Sequence, residues 1–530
     1  MKVNDLVEYS VGIDLGTTYS CLAYVDLDGE IRVQRVDNKF TTPSVIYFED
    51  QDNYLVGNDA KNGDTNSVGY ISAVKRNMGT NEKYPIKGTD YNPQTLSAII
   101  LKKMIDEFNK EHNTTLRKAV ISVPNHFSGS ARQATIDAGK IAGLEEIELI
   151  DEPVSASLSY GLVNSENKGK IILVYDLGGG TFDSTVLKIN SDGSTLNTLS
   201  TDGRQHLGGI DWDGRLADII LQKVLESDDN FMSEEDLRND SKIQHDLLKL
   251  AEEVKKKLSN ETIVETYLSL DPFPVNFTVT REEFEEATID LLEMTMTFMD
   301  SAIEHAGLEL DDISKIVLVG GSSNMPQVRN IIEDTYPGIS IELFEPDYAI
   351  AKGDAIYASW LNKNNGVNSE EYTALSDDTM IPKVSTVLSK TYGTDAEDPD
   401  SKMLYVVNII HRDQPLPCKE TQCFYPVIDG QVSTIVGIYE NSKYITDPNP
   451  RISFLKDSIQ IGQFDVQLPK NIKIDDVIKI TFEATLGGLL IATVDCEGIP
   501  QAKYELKIND AMTVDDIVMM KKRVASLNKK

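Results

Sequence analysis

Three short runs of β-branched and aliphatic residues each stop at a glycine turn that carries acids or hydroxyls. They are Val11-Gly12-Ile13-Asp14-Leu15-Gly16-Thr17-Thr18, Ile171-Ile172-Leu173-Val174-Tyr175-Asp176-Leu177-Gly178-Gly179-Gly180-Thr181 and Ile316-Val317-Leu318-Val319-Gly320-Gly321-Ser322-Ser323. Glycine lets the main chain approach an anion closely, so backbone N–H groups and the hydroxyls of Thr17, Thr18 and Thr181 can cradle phosphate. An aspartate at each strand end would repel that phosphate unless a cation lies between them. Asp14 and Asp176 are therefore the natural pair to hold Mg²⁺ through its waters. Rival signatures are missing: there is no GxxxxGK[ST], no strand followed by GxGxxG, no GxSxG and no HExxH. Six scattered histidines argue against a histidine-centred hydrolase.

Apolar runs bounded by glycine are expected to be buried strands. Helical patterns lie between them at Thr95 to Asn109, Ser130 to Ala142, Leu247 to Leu258 and Glu282 to Ala306. Alternation of this kind implies an α/β fold with a largely parallel sheet. The first two turns share one order (apolar strand, Asp, Leu, Gly, Thr), which suggests two related lobes closing on a common cleft. Residues 362–384 are polar and rich in Asn and Ser, and are expected to be a linker. Beyond it, alternating segments at Leu404 to Ile410, Val432 to Tyr439, Ile452 to Leu455, Ile478 to Glu483 and Leu489 to Val494 predict an all-β sandwich over 385–510. The stretch 511–530 opens like a capping box at Thr513 and is expected to form one short helix.

The chain has 530 residues with 51 Lys+Arg against 85 Asp+Glu, a net charge of −34. Such an acidic surface repels polyanions and anionic membranes, so neither nucleic acid nor a membrane is an expected partner. At about 100–200 residues per domain the length predicts two to four domains. The four cysteines have no CxxC pairing and no adjacent His at metal-ligand spacing, and are expected to be reduced; a Cys418–Cys423 bridge is the alternative. Asp and Glu interrupt the N-terminal apolar stretch where a signal peptide needs continuity, and no run of 18 apolar residues occurs. A soluble, cytoplasmic protein is the expectation.

Taken in chain order, IDLGTT, ISVPNHFSGSARQAT (Ile121 to Thr135), DEPVSASLSYGL (Asp151 to Leu162), DLGGGTFD (Asp176 to Asp183), HLGGIDWD (His206 to Asp213) and VLVGGSSNMP (Val317 to Pro326) resemble the motifs of the 70-kDa heat-shock protein family, the DnaK chaperones. The likeness runs through residues 10–361 and more loosely through 385–510. It implies an actin-like, two-lobed ATPase domain over 1–361, a linker, a β-sandwich that binds extended apolar peptides, and a helical lid. It also implies ATP or ADP with Mg²⁺ as ligands, K⁺ as a further candidate ion, and a nucleotide-exchange factor as a candidate partner. By this resemblance Lys75 positions the attacking water and γ-phosphate, Glu152 stands beside the Mg²⁺ and water, Asp183 lies near that water, and Thr181 meets the γ-phosphate. The same carry-over assigns ATP binding to Gly16, Thr17, Thr18, Tyr19, Gly178, Gly179, Gly180, Gly208, Gly209, Gly320, Gly321, Ser322 and Asp347, and to Glu252, Lys255 and Ser259 on the adenosine-binding helix. Pro124 and Arg132 match an interlobe switch.

Several positions depart from the family pattern. Lys256 and Asn324 stand where the family has the two arginines that cover the faces of adenine, which predicts weaker nucleotide affinity. The leucine-rich linker is replaced by Met380-Ile381-Pro382-Lys383, and the arginine that meets the J-domain by Glu148. Both charges are reversed, so a Glu148–Lys383 ion pair is one expectation and unpaired drift the other; an ordinary J-domain partner is left open. Tyr392, Phe424 and Val427 align with the loops that arch over bound peptide, and Thr434 with a pocket valine. The chain has one helix where the family continues as a lid, from which fast peptide exchange is expected. The functional expectation is a slow ATPase that couples nucleotide state to the binding of unfolded, extended peptides. The alternative is a nucleotide-sensing scaffold with one dedicated partner; an actin-like small-molecule kinase fails because no sandwich belongs to that pattern.

Overall fold

Two six-stranded sheets with matching strand order explain the repeated turns. Across the first the order is Glu146–Asp151, Lys118–Val123, Val11–Asp14, Tyr19–Val25 and Ile31–Val33, with Thr42–Pro43 also paired to Tyr19–Val25. Across the second it is Ser340–Leu343, Lys315–Val319, Ile171–Leu177, Phe182–Ile189, Thr195–Arg204 and Lys383–Ser385. Each centres on an antiparallel hairpin, in which Asp14 faces Cys21 and Asp176 faces Asp183. Each hairpin has a parallel strand on its other side, registered Ile13 to Ile121 and Val174 to Val317. Sheets covered by helices bury both faces of their inner strands, which is why these strands are continuous apolar runs rather than alternating ones. The computed structural model describes residues 8–62, 69–163, 165–228, 230–270, 273–364, 372–375, 381–398, 401–441, 452–496, 502–505 and 512–529.

The four expected helices are present, the first three extended and the last shifted by one residue: Pro93–His112, Gly129–Ala142, Ser241–Leu258 and Arg281–His305. Their starts are set by side-chain caps from Asn92, Ser128, Asp240 and the Thr280/Glu283 box, each of which satisfies otherwise orphaned N–H groups. The first lobe packs Ile13, Leu22, Phe48, Leu101, Phe108 and Ile121 into one core. The second gathers Leu173, Phe182, Trp212, Leu216, Met299 and Val328. A third cluster lies between the two sheets and joins Val154, Val174, Val317, Ala349 and Ile356.

A five-stranded sheet and a four-stranded sheet form the sandwich. The five-stranded sheet runs Ile452–Phe454, Leu404–Ile410, Thr391–Glu397, Ser433–Asn441 and Ser458–Gln467. The other runs Cys418–Phe424, Ile478–Ala484, Leu490–Cys496 and Ala502–Glu505. Inward residues of both, among them Ile410, Val436, Ile438, Phe482, Ala492 and Val494, make its core. The cysteines are free thiols, with Cys418 buried and Cys423 exposed. Among the described residues no helix is long and apolar enough to cross a membrane.

The stretch expected to be a spacer is anchored wherever it is described. Residues 362–364 finish the helix Ala349–Asn364, and Thr373 accepts hydrogen bonds from the Ser10 N–H and hydroxyl at 2.9 and 2.6 Å. Lys383–Ser385 adds a parallel edge strand to the second sheet, and Val384 is buried in the core between the lobes. Met380, with 365–371, 376–379 and 506–511, lies outside the described residues. The C-terminal helix Val514–Ser526, opened by a Thr513/Asp516 capping box, is built onto the first lobe. Val524 and Leu527 enter that lobe's core, a burial that contributes about 1.5–3 kcal/mol per aliphatic side chain. Arg523 donates to Asp52 at 3.0 Å and to the Gln51 carbonyl at 2.7 Å, and Asn528–Lys529 pairs in parallel with Asn53 and Tyr54.

Candidate functional site

The carboxyl ends of the two central strands open on a cleft of about 520 Å³ between the lobes. Asp14, Gly16, Thr17, Thr18 and Tyr19 line it from one side, and Asp176, Gly178, Gly179, Thr181, Gly320, Gly321, Ser322 and Asn324 from the other. Lys75, Glu152, Glu252, Lys255, Lys256, Ser259 and Asp347 are also part of the wall. The turns need glycine for close approach. A side chain at Gly179 would run into the Thr18 hydroxyl of the opposite lobe. Gly320, at φ 79°, would put a Cβ 2.5 Å from the Asp176 carboxylate. Gly180, Gly208 and Gly209 stand behind the lining: Gly208 packs on Gly180, and the Gly209 N–H donates to the Gly178 carbonyl at 3.0 Å. That contact brings the N-terminus of the helix Gly209–Glu226 against the glycine turn, where its dipole favours an anion.

At the floor, three carboxylates, Glu152, Asp14 and Asp176, act on one ammonium. Lys75 sits in the 3₁₀ turn Val74–Asn77, set up by Ala73 in the left-handed region at φ 55°. Its Nζ bonds the Glu152 carboxylate, with both side chains buried. Burial disfavours the ammonium, but Glu152, Asp14 and Asp176 outweigh it and hold the Lys75 pKa above its ordinary value. Burial pushes Asp14 up to about 7, opposed by Lys75 and reinforced by Glu152 and Asp347. Asp176 is pushed well up by burial and then by Glu152, Asp183 and Asp14. Asp183 is its cross-strand neighbour and is 1% exposed. Asp176 Oδ2 and Thr18 Oγ1 are buried with no hydrogen-bond partner among the described residues. These orphaned acceptors and the excess of negative charge fit a cation. Mg²⁺ keeps much of its water shell and is commonly held by one or two carboxylates, a role open to Asp14 and Asp176.

A second cluster closes the mouth. Tyr19 Oη and the Glu252 carboxylate both accept from Lys61 Nζ, at 2.8 and 2.6 Å, and from Lys256 Nζ, at 2.8 and 2.6 Å. Burial alone would raise the Glu252 carboxyl, but Lys61 and Lys256 draw it down to about 2. A depressed acid contributes stability that is present above its unfolded pKa of 4.5 and is lost as pH falls toward the folded value. Glu252→Gln is therefore expected to destabilise the protein by about 3 kcal/mol at pH 7, with the difference shrinking below about pH 4.5; denaturant titrations at pH 7 and pH 3.5 measure it. Lys255 is fixed by Asp213 at 2.7 Å and by the Gly209 carbonyl at 2.8 Å.

Lys61 and Arg76 carry no role in the sequence reading, and Asp213 enters it only as the last residue of HLGGIDWD. Arg76 reaches across the cleft to the Gly180 carbonyl at 3.1 Å and to Asp211. Its place beside Lys75 was the one available signal, whereas Lys61 sits in no motif.

A third cluster joins the first lobe to the sandwich. Arg132 donates to Asp151 at 2.7 Å, to the Asn125 carbonyl at 2.8 Å and, on the sandwich, to the Gly487 carbonyl at 3.0 Å. Thr386 donates to Asp151 at 2.9 Å. Pro124 is buried at the head of the same loop, where its carbonyl accepts from Phe127. Arg412, on the sandwich, bonds the Thr201 carbonyl and lies 3.4 Å from Asp202 of the second lobe.

Two expectations are corrected. Glu148 and Lys383 form no ion pair: they lie on edge strands of different sheets, and the Glu148 carboxyl is raised by burial and by Glu146. Tyr392 does not face outward; it is 2% exposed in the sandwich core, its hydroxyl beside Glu440. Phe424 packs partly on that core, Thr434 is half-buried, and Val427 is exposed. Val427 shares its loop with exposed Tyr425, Ile428 and Val432, which the sequence did not single out.

Comparison with known proteins agrees with this architecture. The family model described as "Hsp70 protein" matches residues 10–86 and 82–529. The chain is 34% identical over 494 residues to "Chaperone protein DnaK" of Thermosipho africanus, covering 91% of this chain and 77% of that protein. It is 33% identical, with the same coverage, to the protein of that name from Thermosipho melanesiensis. With its paired glycine turns, its cleft and its sandwich, this chain belongs to the Hsp70 family of ATP-dependent chaperones.

Proposed function

We propose that the cleft binds ATP and hydrolyses it to ADP and phosphate, and that the sandwich holds extended apolar peptide according to the nucleotide state. The observation that carries this reading is the buried Lys75–Glu152 pair, set beside Asp14 and Asp176 at the junction of the glycine turns, with Asp183 behind them as the cross-strand neighbour of Asp176. Mg²⁺, held through its waters by Asp14 and Asp176, would neutralise phosphate charge there. Thr17, Thr18, Thr181 and the amides of the Gly178–Gly180 turn hold the phosphate oxygens. Lys75 orients the γ-phosphate and the attacking water, with Glu152 fixing the ammonium and Asp183 accepting a hydrogen bond from that water. Attack forms the new P–O bond, and the bond to ADP breaks. K⁺ is a second ion that this carboxylate-rich floor would suit. The scaffold alternative is not favoured, because nothing in the catalytic set has been lost.

Glu252, Lys255 and Ser259 form the nucleoside end. The Lys256 ammonium is held by Glu252 and Tyr19, and the Asn324 amide by the Gly321 carbonyl at 2.9 Å, so neither position offers a planar guanidinium that could stack on a base. Lys256→Arg combined with Asn324→Arg is expected to tighten ATP binding by about 5- to 30-fold, at roughly 0.5–1 kcal/mol per stacked cation. Calorimetric titration checks this, and an unchanged affinity would refute it. Peptide is proposed to lie along the apolar rim of Tyr425, Val427, Ile428 and Val432, with backbone hydrogen bonds holding it and a side-chain pocket choosing among sequences. A nucleotide-exchange factor is the natural partner of the lobe-closing Lys61–Glu252 contact. ATP turnover by wild type and Lys75→Ala, with and without an unfolded substrate protein, tests the whole reading.

A further inference from the structure

The loop Pro124–Ser128 sends two side chains in opposite directions. Asn125 Nδ2 donates to Asp151 at 3.1 Å, on the side that meets the sandwich. His126 turns the other way, and its Nδ1 lies 2.8 Å from Asp183 Oδ1. The neighbouring Phe127 is locked into the first lobe's core, whereas Asp183 belongs to the second sheet, so this hydrogen bond crosses the cleft. The other ring nitrogen, Nε2, is buried and has no partner among the described residues. The hydrogen bond to Asp183 suits an Nδ1–H donor, since a carboxylate oxygen accepts. An ionised Asp183 is acceptor-only and accepts that N–H on Oδ1, which leaves Oδ2 as the acceptor for a water.

We propose that His126 is a positioning residue for ATP hydrolysis: from the first lobe it holds the Asp183 carboxylate in the orientation that receives the attacking water, and it does so only when the lobes are closed. The proposal rests on the role of Asp183 given above. It goes beyond that role in making one side chain of the opposite lobe a condition for it. The binding of ATP itself does not depend on His126, which does not line the cleft.

Single-turnover hydrolysis and calorimetric ATP affinity, measured on the full chain, test the proposal with four variants. His126→Leu is expected to hydrolyse about 10- to 100-fold more slowly, the effect of losing a hydrogen bond to a charged group, with ATP affinity within about threefold of wild type. His126→Asn, whose amide N–H can stand in for Nδ1–H, is expected to keep a rate within about threefold of wild type. A wild-type rate for His126→Leu overturns the proposal, and so does His126→Asn falling as far as His126→Leu. If His126→Leu fails to bind ATP, His126→Phe fills the same space without a donor and is held to the same expectation. Asp183→Asn separates the two claims. A slow Asp183→Asn beside a wild-type His126→Leu removes only the part played by His126, whereas a wild-type Asp183→Asn removes both.

Discussion

Lys75→Ala is expected to lower ATP turnover by about 100- to 1,000-fold while leaving ATP affinity within a few-fold. The reason lies in the charge balance of the cleft floor. Lys75 is placed against Glu152, Asp14 and Asp176 at once, and its charge is held on by those three acids despite its burial. Preorganised charge in a water-poor site stabilises the transferring phosphoryl group without having to reorganise, and that advantage disappears with the side chain. Removing one partner of a buried pair also costs about 3–5 kcal/mol of stability, because Glu152 is left buried and uncompensated. The two effects separate in the double variant Lys75→Ala/Glu152→Ala. It should recover stability, as read by thermal unfolding, but not turnover.

Arg132→Ala is the second large effect expected. Burial raises the Asp151 carboxyl, opposed chiefly by Arg132, whose fork also reaches the Gly487 carbonyl on the sandwich. Without the guanidinium the carboxylate keeps only Asn125 and Thr386, and about 3–5 kcal/mol should be lost from the docked arrangement. Undocking is predicted to raise amide hydrogen exchange in Lys383–Ser385, which pairs with the second sheet, and in the strands that meet Arg132 and Arg412. Exchange unchanged from wild type in Lys383–Ser385 would show that the seam is held elsewhere.

Much of the nucleotide cleft was legible because its chemistry is local. A strand end, a glycine turn and a hydroxyl lie within eight residues of one another, and the two copies announced a shared cleft before any pairing was known. Lys61 and Arg76 escaped notice because they act through contacts more than 100 residues away in sequence, to Glu252 and Asp211, and a surface-type lysine or arginine carries no mark of such a partner. Asp151 lay inside a recognised motif, yet its role depends on Thr386, 235 residues further on. The docking of the linker's end was hidden for a different reason. Edge pairing of Lys383–Ser385 uses backbone groups, which every residue has, so side-chain texture could not reveal it. Tyr392 shows the hazard of alternation in a sandwich: a shift of one residue moves a side chain from the outer face to the core. The reversed charges at positions 148 and 383 suggested a pair, but charge alone carries no geometry, and the two strands belong to different sheets.

The central claim is that this chain couples an ATPase cleft to a peptide-binding sandwich through a shared seam. Steady-state ATP turnover of the wild-type chain, measured with and without a saturating unfolded protein, tests it most directly. Coupling of about 1–3 kcal/mol between two sites predicts that the substrate changes the rate by about 5- to 150-fold. An identical rate in both conditions would contradict the account.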